Sequence, residues 1–362
     1  MIISETKIKK NNSNLLGVLD ISGVSATESL LNSNCEFSEI KYVVRGLSKG
    51  QAIVSSIGGF PVWCTPDQEF LVCSKPGDTP KYIEAKNLTK DYYLSIPVDD
   101  SSEEDLESIR NFKENPNFWS ILGIYAGSKI TTRCEASYIG SKDYIKIDLE
   151  KKNKQAIDLL EKSIVGLKLP YIKDEGDNGD WIVSFYIGQN NKIDNYEFMP
   201  EIVKERYDPV YECMHEFLDY MFESNLVNWN ITCIGKKDLK TFYDALYTTS
   251  SVEHKDGERV FEVFHQETAI MISMIYNKLF HRDLRVSQEA RGGIDYRLFV
   301  DERSNLSWYD ELRKCIWTKI TDVSLPNKSY GEVKSVYNVI FEDGSENYIA
   351  GNVVVKAKTK LM

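Results

Sequence analysis

The 362-residue sequence lacks the signals of membrane, secreted and zinc-binding proteins. No apolar run approaches eighteen residues, and the opening MIISETKIKK contains no secretory hydrophobic region. The seven cysteines (35, 64, 73, 134, 213, 233 and 315) form no Cys-x-x-Cys pair, and the four histidines never stand at metal-ligand spacing. We therefore expect a cytoplasmic protein with reduced thiols, no zinc site and no membrane contact.

An excess of basic residues is also absent. The net charge is −11, and residues 101–310 hold 26 Lys or Arg against 37 Asp or Glu, which accounts for the whole imbalance. Nucleic-acid-binding proteins usually carry a basic patch and often a basic total, so this balance argues against tight, non-specific DNA binding but leaves a local patch open. With 42% hydrophobic residues at this length, we expect two domains.

Both ends of the chain have the sequence texture of β-sheet. Before residue 98, segments rich in β-branched and aromatic residues (GQAIVSSI, FPVWC, EFLVCS, YYLSIPV) alternate with glycine and proline turns. After residue 310 the texture returns in CIWTKITDVSL, VKSVYNVIFED and ENYIAGNVVVKA. The acidic, serine-rich residues 99–108 predict a linker that runs into a helix. We therefore expect the two ends to fold together around an insertion, since insertions succeed at surface loops.

The middle of the chain predicts a helix–strand–helix–strand theme that occurs twice. NPNFWSILGIYAG and KNKQAIDLLEKSIVGL are followed by the strand-like DWIVSFYIG. DLKTFYDALYTTS, RVFEVFH, ETAIMISMIYNKLF and IDYRLFV repeat the theme, and corresponding helices end at 128 and 250. Gly123 and Gly127 stand four positions apart, which predicts a close approach between two helices. The sequence therefore predicts two copies of one α/β half-domain packed together.

Taken in order, six segments resemble the blocks of an intein. They are MIISETKI, CTPDQEFLV, YIEAKNLTKDYYLSIP, FWSILGIYAGSK, FYDALYTTSS and VYNVIFEDGSENYIAGNVVVKA. Together they are similar to a Hint domain that carries a LAGLIDADG (DOD-type) homing endonuclease, a kind of mobile element. The resemblance implies an α+β protein: an all-β, horseshoe-like Hint domain from residues 1–97 and 311–362, with an inserted pseudo-twofold α/β domain at 98–310.

The positions that perform splicing in such a family have mostly lost their chemistry here. Met1 has neither hydroxyl nor thiol to attack a peptide bond. Gln68, three residues after Thr65, cannot shuttle a proton as the family's histidine does. Ala357 has no carboxamide to cyclise, so we expect no self-splicing. The full set of matching positions is Met1, Thr65, Gln68, Asn338, Glu346, Lys356 and Ala357.

The endonuclease positions are altered in the same way. The resemblance implies that each LAGLIDADG helix ends in an acid that holds a divalent metal, but Ser128 and Ser250 stand there. Hydroxyl groups bring no negative charge, so we expect no metal and no cofactor; Mg²⁺ would be needed only by an active endonuclease. The match of FYDALYTTSS to the second LAGLIDADG helix is open by a residue or two, so Asp244 or Glu253 remains an alternative acid.

Three hypotheses follow from this reading. The first is a catalytically inactive protein that uses the scaffold for interaction, in a larger assembly with protein partners or on double-stranded DNA. The second is a free-standing LAGLIDADG endonuclease, and the third is a sequence-specific DNA-binding regulator. Basic residues that could face DNA, with an ordinary solvated surface as the alternative, are Lys146, Lys236, Lys237, Arg282, Arg285 and Arg291.

Overall fold

The structure, a computed structural model, covers the chain with gaps. The described residues are 1–4, 6–12, 15–26, 28–100, 115–128, 130–134, 142–169, 171–176, 179–189, 231, 234–253, 258–263, 266–290, 294–300, 306–325 and 333–357. Most of the predicted linker at 99–108 and the helix start after it lie outside them. Contacts divide the chain into a β unit, residues 1–101 and 253–362, and a helix-pair unit, residues 102–252.

Fifteen strands of the β unit form one sheet. The strands before residue 98 are β1 (Ile2–Ile3), β2 (Lys7–Asn12), β3 (Leu15–Asp20), β4 (Ser29–Leu31), β5 (Phe37–Ser48), β6 (Ala52–Ser56), β7 (Val62–Cys64), β8 (Glu69–Cys73), β9 (Lys81–Glu84) and β10 (Tyr93–Pro97). The strands after residue 306 are β19 (Ser307–Asp310), β20 (Cys315–Ser324), β21 (Lys334–Phe341), β22 (Asn347–Ala350) and β23 (Val353–Lys356). The strands predicted from both ends of the sequence are all present.

Strands from the two chain ends interleave within this sheet. The order is β10-β20-β6-β7-β1-β21-β5-β4-β2-β22-β23-β8-β9, with β19 on β20 and β3 on β2, and β10 also pairs with β8. The last pairing brings the sheet close to closure. Alternate residues bury one face, as in β6, where Ala52 and Val54 enter the main core. The division at 97/98 and 310/311 nevertheless stays a prediction, because residues 253–306 group with the β unit by contacts.

The middle of the chain runs helix, two strands, helix, two strands, and then repeats. The first copy comprises α1 (Pro116–Gly127), β11 (Ile130–Cys134), β12 (Lys142–Leu149), α2 (Lys154–Gly166), β13 (Tyr171–Glu175) and β14 (Trp181–Gln189). The second comprises α3 (Lys236–Ser250), β15 (Ser251–Glu253), β16 (Arg259–Val263), α4 (Gln266–Phe280), β17 (Arg285–Ala290) and β18 (Ile294–Phe299). The sheet orders, β11-β12-β14-β13 and β15-β16-β18-β17, repeat in the same way. The predicted repeat is therefore present among the described residues. The sequence prediction missed β11 and β12 altogether, and it missed the strand before each predicted strand, namely β13, β15 and β17.

Helix α1 is apolar all round, as its sequence predicts. Asn115 caps its start by accepting a hydrogen bond from the Asn117 N–H, and Pro116 occupies the first helical position. Every residue from Phe118 to Tyr125 is buried. A helix without a polar face must be covered on all sides, and α1 packs on both α2 and α3 within the helix-pair unit. None of the described helices is long and apolar enough to span a membrane.

Helices α1 and α3 approach so closely that their backbones touch. A Cβ atom added at Gly123 would collide with the Phe242 carbonyl oxygen and lie 2.8 Å from the Ala245 Cβ. A Cβ at Gly127 would lie 3.0 Å from both the Leu246 oxygen and the Thr249 Cβ. The predicted close approach of α1 and α3 is confirmed. It is possible only because residue 123 is a glycine, which has no side chain.

A buried carboxylate fastens the loop after α4 to the large sheet. Ser307 donates a hydrogen bond of 2.5 Å to Asp283 Oδ1, and Thr318 donates one of 2.6 Å to Oδ2. The Thr318 hydroxyl accepts in turn from the Gly58 N–H at 2.9 Å. A Cβ at Gly58 would lie 2.5 Å from Asp283 Oδ2, so the glycine makes room for the carboxylate.

We expect Gly123→Ala to destabilise the helix-pair unit. Overpacking typically costs about 1–3 kcal/mol, which exceeds the gain of up to about 1 kcal/mol from the better helix propensity of alanine. Gly127→Ala is the graded control, since its neighbours leave more room, and it should lower the free energy of unfolding less. Denaturant unfolding followed by circular dichroism measures both. Stabilisation by Gly123→Ala would contradict the close backbone contact between α1 and α3.

The stability of the β unit should depend on the ionisation of Asp283. Burial raises the pKa of Asp283 above the ordinary 3.8, and the hydrogen bonds from Ser307 and Thr318 offset only part of this rise. A raised pKa in the folded state adds stability below 3.8 that is lost as pH rises through the raised value. Asp283→Asn stays neutral, so its stability relative to the unaltered protein should rise over that window and then level off.

Asp310→Asn is the control with the opposite sign. Burial raises the pKa of Asp310, but hydrogen bonds from Arg313 and Trp317 outweigh this and leave it lowered. The carboxylate therefore stabilises the fold above the ordinary pKa, and the variant should lose stability relative to the unaltered protein as pH rises. Denaturant midpoints over a pH series measure both trends. Parallel trends in the two variants would show that at least one of the two carboxyl groups does not behave as its surroundings imply.

Candidate functional site

At the ends of α1 and α3, where the resemblance predicts catalytic acids, stand two serine hydroxyl groups with equivalent partners. Ser128 Oγ donates to the Ile124 carbonyl at 2.7 Å, and Ser250 Oγ donates to the Leu246 carbonyl at 2.7 Å. In each case the acceptor lies one helical turn earlier. The hydroxyl protons thus satisfy carbonyls that a helix end otherwise leaves to water or to caps.

The contacts between α1 and α3 support the register that pairs Ser128 with Ser250. Across a twofold axis between two like helices, equivalent residues face each other. Gly123 faces Ala245, and Gly127 faces Thr249, and both pairs are 122 positions apart. The same offset relates Ser128 to Ser250 and their acceptors Ile124 to Leu246. The sequence alone leaves the alignment of the second LAGLIDADG-like helix open by a residue or two. The packing of α1 on α3 favours the alignment with an offset of 122 positions.

The two alternative acids stand away from the helix end. Asp244 lies six residues before Ser250 on α3, and Lys240 Nζ binds both of its carboxylate oxygens at 2.5 and 2.6 Å. Glu253 is exposed at the end of the short strand β15. In the part of the chain that the structure describes, no group of three or more His, Cys, Asp or Glu side chains is placed to hold a metal ion.

The positions that resemble the splicing centre do come together in the β unit. The Met1 amino group donates to Thr65 Oγ1 at 2.6 Å, and the Thr65 N–H donates to the Met1 carbonyl at 2.7 Å. Strand β1 holds this contact, because Ile2 pairs with Cys64 on β7 and with Tyr337 on β21. Thr65 therefore grips the backbone at residue 1 although Met1 supplies no nucleophile.

Gln68 makes two hydrogen bonds that join strands at this centre. Its side chain is buried, and Nε2 donates to the carbonyl oxygens of Lys356 at 2.9 Å and Glu69 at 3.0 Å. The bond to Lys356 ties the start of β8 to the end of β23. We call this contact the Gln68 clamp. An amide can donate twice to two carbonyls, which a neutral imidazole, with one N–H, cannot do.

The other matching positions make contacts of different kinds. The Ala357 backbone N–H donates to the Glu346 carbonyl at 2.7 Å, and Asn338 Oδ1 accepts from the N–H of its neighbour Val339 on β21 at 2.8 Å. Lys356 Nζ pairs with Glu69 at 3.1 Å, which joins β23 to β8. Of these three residues, only Lys356 therefore makes a side-chain contact between strands.

Sequence reasoning overlooked Cys64, which adjoins this centre. Burial raises the pKa of the Cys64 thiol to about 12, although the Met1 amino group opposes the rise. The thiol is fully buried and therefore neutral, and a neutral thiol is a poor nucleophile. No spacing in the sequence signals its position, because strand pairing brings it there.

The basic residues predicted to face DNA are dispersed. Lys146 lies on β12 on the face opposite the buried Ile145 and Ile147. Lys236 and Lys237 begin α3, at the opposite end from Ser250. Arg285 pairs with Glu258 at 3.0 Å and lies over the Phe299 ring. Arg282 is exposed after α4, and Arg291 lies outside the described residues. Their contact with DNA stays a prediction.

No protein-family model matches the chain, and no curated protein matches it. Solved structures of LAGLIDADG proteins resemble part of it. One is I-DmoI in complex with DNA and Mn, with 13% identity, 57% of this chain and 89% of that chain covered, and a TM-score of 0.32. Others are the N-terminal LAGLIDADG domain of DUF199/WhiA (11%, 53% and 78%, 0.30) and full-length DUF199/WhiA from Thermatoga maritima (11%, 51% and 50%, 0.29).

We expect Gln68→Ala to loosen the end of β23. Removing the donor leaves two partly buried carbonyls without this partner, a loss of about 1–3 kcal/mol in the free energy of unfolding. Gln68→Glu should cost more, because a carboxylate would face the same carbonyls with no proton to give. Gln288→Ala, at an exposed glutamine of the same unit, is the control. Equal midpoints for all three variants in denaturant unfolding would rule out the clamp.

Proposed function

We propose that this chain is a catalytically inactive protein that keeps an intein-plus-endonuclease scaffold and uses it for contact with DNA or with a protein partner. The observation that carries the proposal is the pair of serine hydroxyls at the ends of α1 and α3. Both donate to carbonyls of their own helices. Cleavage of a phosphodiester by this scaffold needs carboxylates that gather divalent metal at the scissile phosphates, and hydroxyls supply no charge for that purpose.

The altered splicing positions support inactivity in the β unit as well. Gln68 makes two donor bonds to backbone carbonyls, so it cannot also give and take protons at a peptide bond. Ala357 has only a methyl group where cyclisation would require a carboxamide. These residues preserve the geometry of the centre while removing its nucleophile, its proton shuttle and its cyclising group.

The helix ends can still lie near phosphates without cutting them. Two carboxylates without metal would repel the DNA backbone, whereas two hydroxyls do not. Affinity for DNA should then rest on lysine and arginine contacts and fall steeply with salt. The endonuclease alternative would need Asp244 or Glu253, but Asp244 is engaged by Lys240 and belongs to an earlier turn of α3.

The direct test restores the two acids. The unaltered protein should leave duplex DNA uncut in Mg²⁺ or Mn²⁺, and these ions should leave its melting temperature unchanged. Ser128→Asp with Ser250→Asp should gain a metal-dependent rise in melting temperature, because two carboxylates then flank one gap. Ser128→Asp with Ser251→Asp, one residue out of register, is the matched control. Nicking by the unaltered protein would overturn the proposal.

A further inference from the structure

The edge strand of the first four-stranded sheet exposes apolar side chains. Strand β13 is the last strand in the order β11-β12-β14-β13, so no described strand lies on its outer side, the open edge. Ile172 is 47% exposed and Tyr171 is 37% exposed. Val165 is 60% exposed on α2, one turn after Glu161, which binds Lys173 of β13 at 3.1 Å. An unpaired strand edge with apolar side chains is a place where another strand can add to the sheet.

The corresponding edge strand of the second repeat is bound by another segment of the chain. Strand β17 has the same place in the order β15-β16-β18-β17, and its Val286 N–H donates to the Ile57 carbonyl at 2.8 Å. Ile57 directly follows β6 of the large sheet and belongs to the same unit as β17. One repeat therefore satisfies a backbone donor on its outer edge, whereas no described strand does so for the other.

The hydrogen-bond pattern of β13 determines which backbone groups point to the open edge. The Gly176 N–H donates to the Asp180 carbonyl at 2.8 Å, so these residues form a hydrogen-bonded pair where β13 turns into β14. Such pairs alternate with non-hydrogen-bonded pairs along an antiparallel ladder, so the even-numbered residues of β13 bond to β14. The residues whose N–H and C=O groups point to the open edge are Tyr171, Lys173 and Glu175.

Two of the three charges on β13 are already paired within the helix-pair unit. Lys173 Nζ binds Glu161 at 3.1 Å and lies 4.6 Å from the centroid of the Trp181 ring. Glu175 is bound by Lys151 Nζ at 2.6 Å. Charged side chains on an edge strand normally oppose pairing with another strand. That opposition is reduced here, because both charges have partners on the same molecule.

One symmetric register suits a second molecule of this chain. Two antiparallel β13 strands related by a twofold axis must pair outward-pointing residues with each other, which allows an axis at residue 172, 173 or 174. An axis at 173 or 174 sets Lys173 or Asp174 against itself, and like charges directly opposite are destabilising. An axis at 172 sets Ile172 against itself and Tyr171 against Lys173. Axes nearer the strand ends pair fewer residues.

We propose that β13 is a dimerisation edge, along which two molecules of this chain join their four-stranded sheets into one sheet of eight strands. Ile172 contacts Ile172 of the second molecule in a non-hydrogen-bonded pair at the axis. On the other face, each Tyr171 ring lies opposite a Lys173 side chain, and these two residues exchange main-chain hydrogen bonds. The contact belongs to the helix-pair unit and does not depend on the proposed loss of cleavage.

The alternative occupant is an extended segment of another protein, which would gain the same main-chain hydrogen bonds. A second molecule of this chain is favoured because the edge is complementary to itself. In the register at Ile172 an apolar pair occupies the axis, a cation meets an aromatic ring on either side, and no like charges stand opposite each other. Cross-linking between identical positions separates the two occupants, because only a symmetric pair brings a residue against its own counterpart.

The first experiment measures the mass of the full chain in solution. Light scattering on a gel-filtration column, over a wide range of protein concentration, should show a monomer–dimer equilibrium. Ile172→Asp should raise the dissociation constant of the dimer about tenfold or more, because like charges replace the apolar contact at the axis. Val252→Asp is the matched control, since Val252 is 42% exposed on β15, an edge strand of the other four-stranded sheet. Circular dichroism and the melting temperature check that both variants fold as the unaltered protein does.

The second experiment tests the register with single cysteines. The Cα atoms of a non-hydrogen-bonded antiparallel pair lie about 4.5 Å apart, within the range that a disulfide spans. Under a mild oxidant Ile172→Cys should therefore link two molecules, well beyond any link that the native cysteines form in the unaltered protein. Asp174→Cys, on the same face of the same strand, should add no link, because the two introduced thiols lie four residues apart along the ladder.

Three results would overturn the proposal. They are a monomer at every concentration, equal dissociation constants for Ile172→Asp and Val252→Asp, and a link through Asp174→Cys that equals or exceeds the link through Ile172→Cys. None of these measurements contains DNA or metal, and Ser128 and Ser250 stay unaltered. Failure of the dimer and failure of the proposed function are therefore seen in separate experiments.

Discussion

Strand pairing between the two ends of the chain is the constraint on which the β unit depends. Strand β1 stands between β7 and β21, and β20 stands between β10 and β6. Except for β1–β7, these pairings join residues separated by the whole middle of the chain, so the loop closed in folding is long. The cost of closing such a loop grows only slowly with its length, which is why a large insertion is tolerated between paired strands. Once the strands meet, Thr65, Gln68 and Lys356 come together without further contacts to place them.

Strand pairing also fixes the backbone of this corner independently of the side chains at Met1, Gln68 and Lys356. The backbone at residue 1 is held by β1, and the backbone at 356 by β23, whichever side chains stand there. Gln68 satisfies two carbonyls at this corner with the two donors of its amide. Buried polar atoms without partners are costly, so these two bonds stabilise the contact between β8 and β23. At the ends of α1 and α3, Ser128 and Ser250 also satisfy backbone carbonyls, in this case those of the preceding turn of their own helices.

Much of this architecture could be predicted from sequence, and the failures have physical causes. Helix α1 was predictable because twelve consecutive residues are apolar or small, and most strands of the β unit because they alternate. Most strands missed in the middle of the chain are polar edge strands or very short ones; the exception is β12, an eight-residue strand inside its sheet. YIKDE of β13 carries three charges on an exposed edge, and β15 has only three residues. The hydrogen-bond partners of Gln68 could not be predicted, because one of them lies 288 positions away and only the sheet order brings it near.

The net charge of the chain says little about contact with DNA, because salt screens the charges that lie far from the point of contact. At physiological salt the Debye length is about 8 Å, so an approaching phosphate responds to the charges in its neighbourhood and hardly to those across the molecule. The excess of acids lies in residues 101–310, whereas the flanks are near neutral in sum. Within the flanks, Glu39 and Glu342 lie where the pairing of β5 with β21 ends, and Arg45 lies farther along the same two strands, so opposite charges cancel in the total. A balance of −11 therefore says nothing about the charge at any one place on the surface.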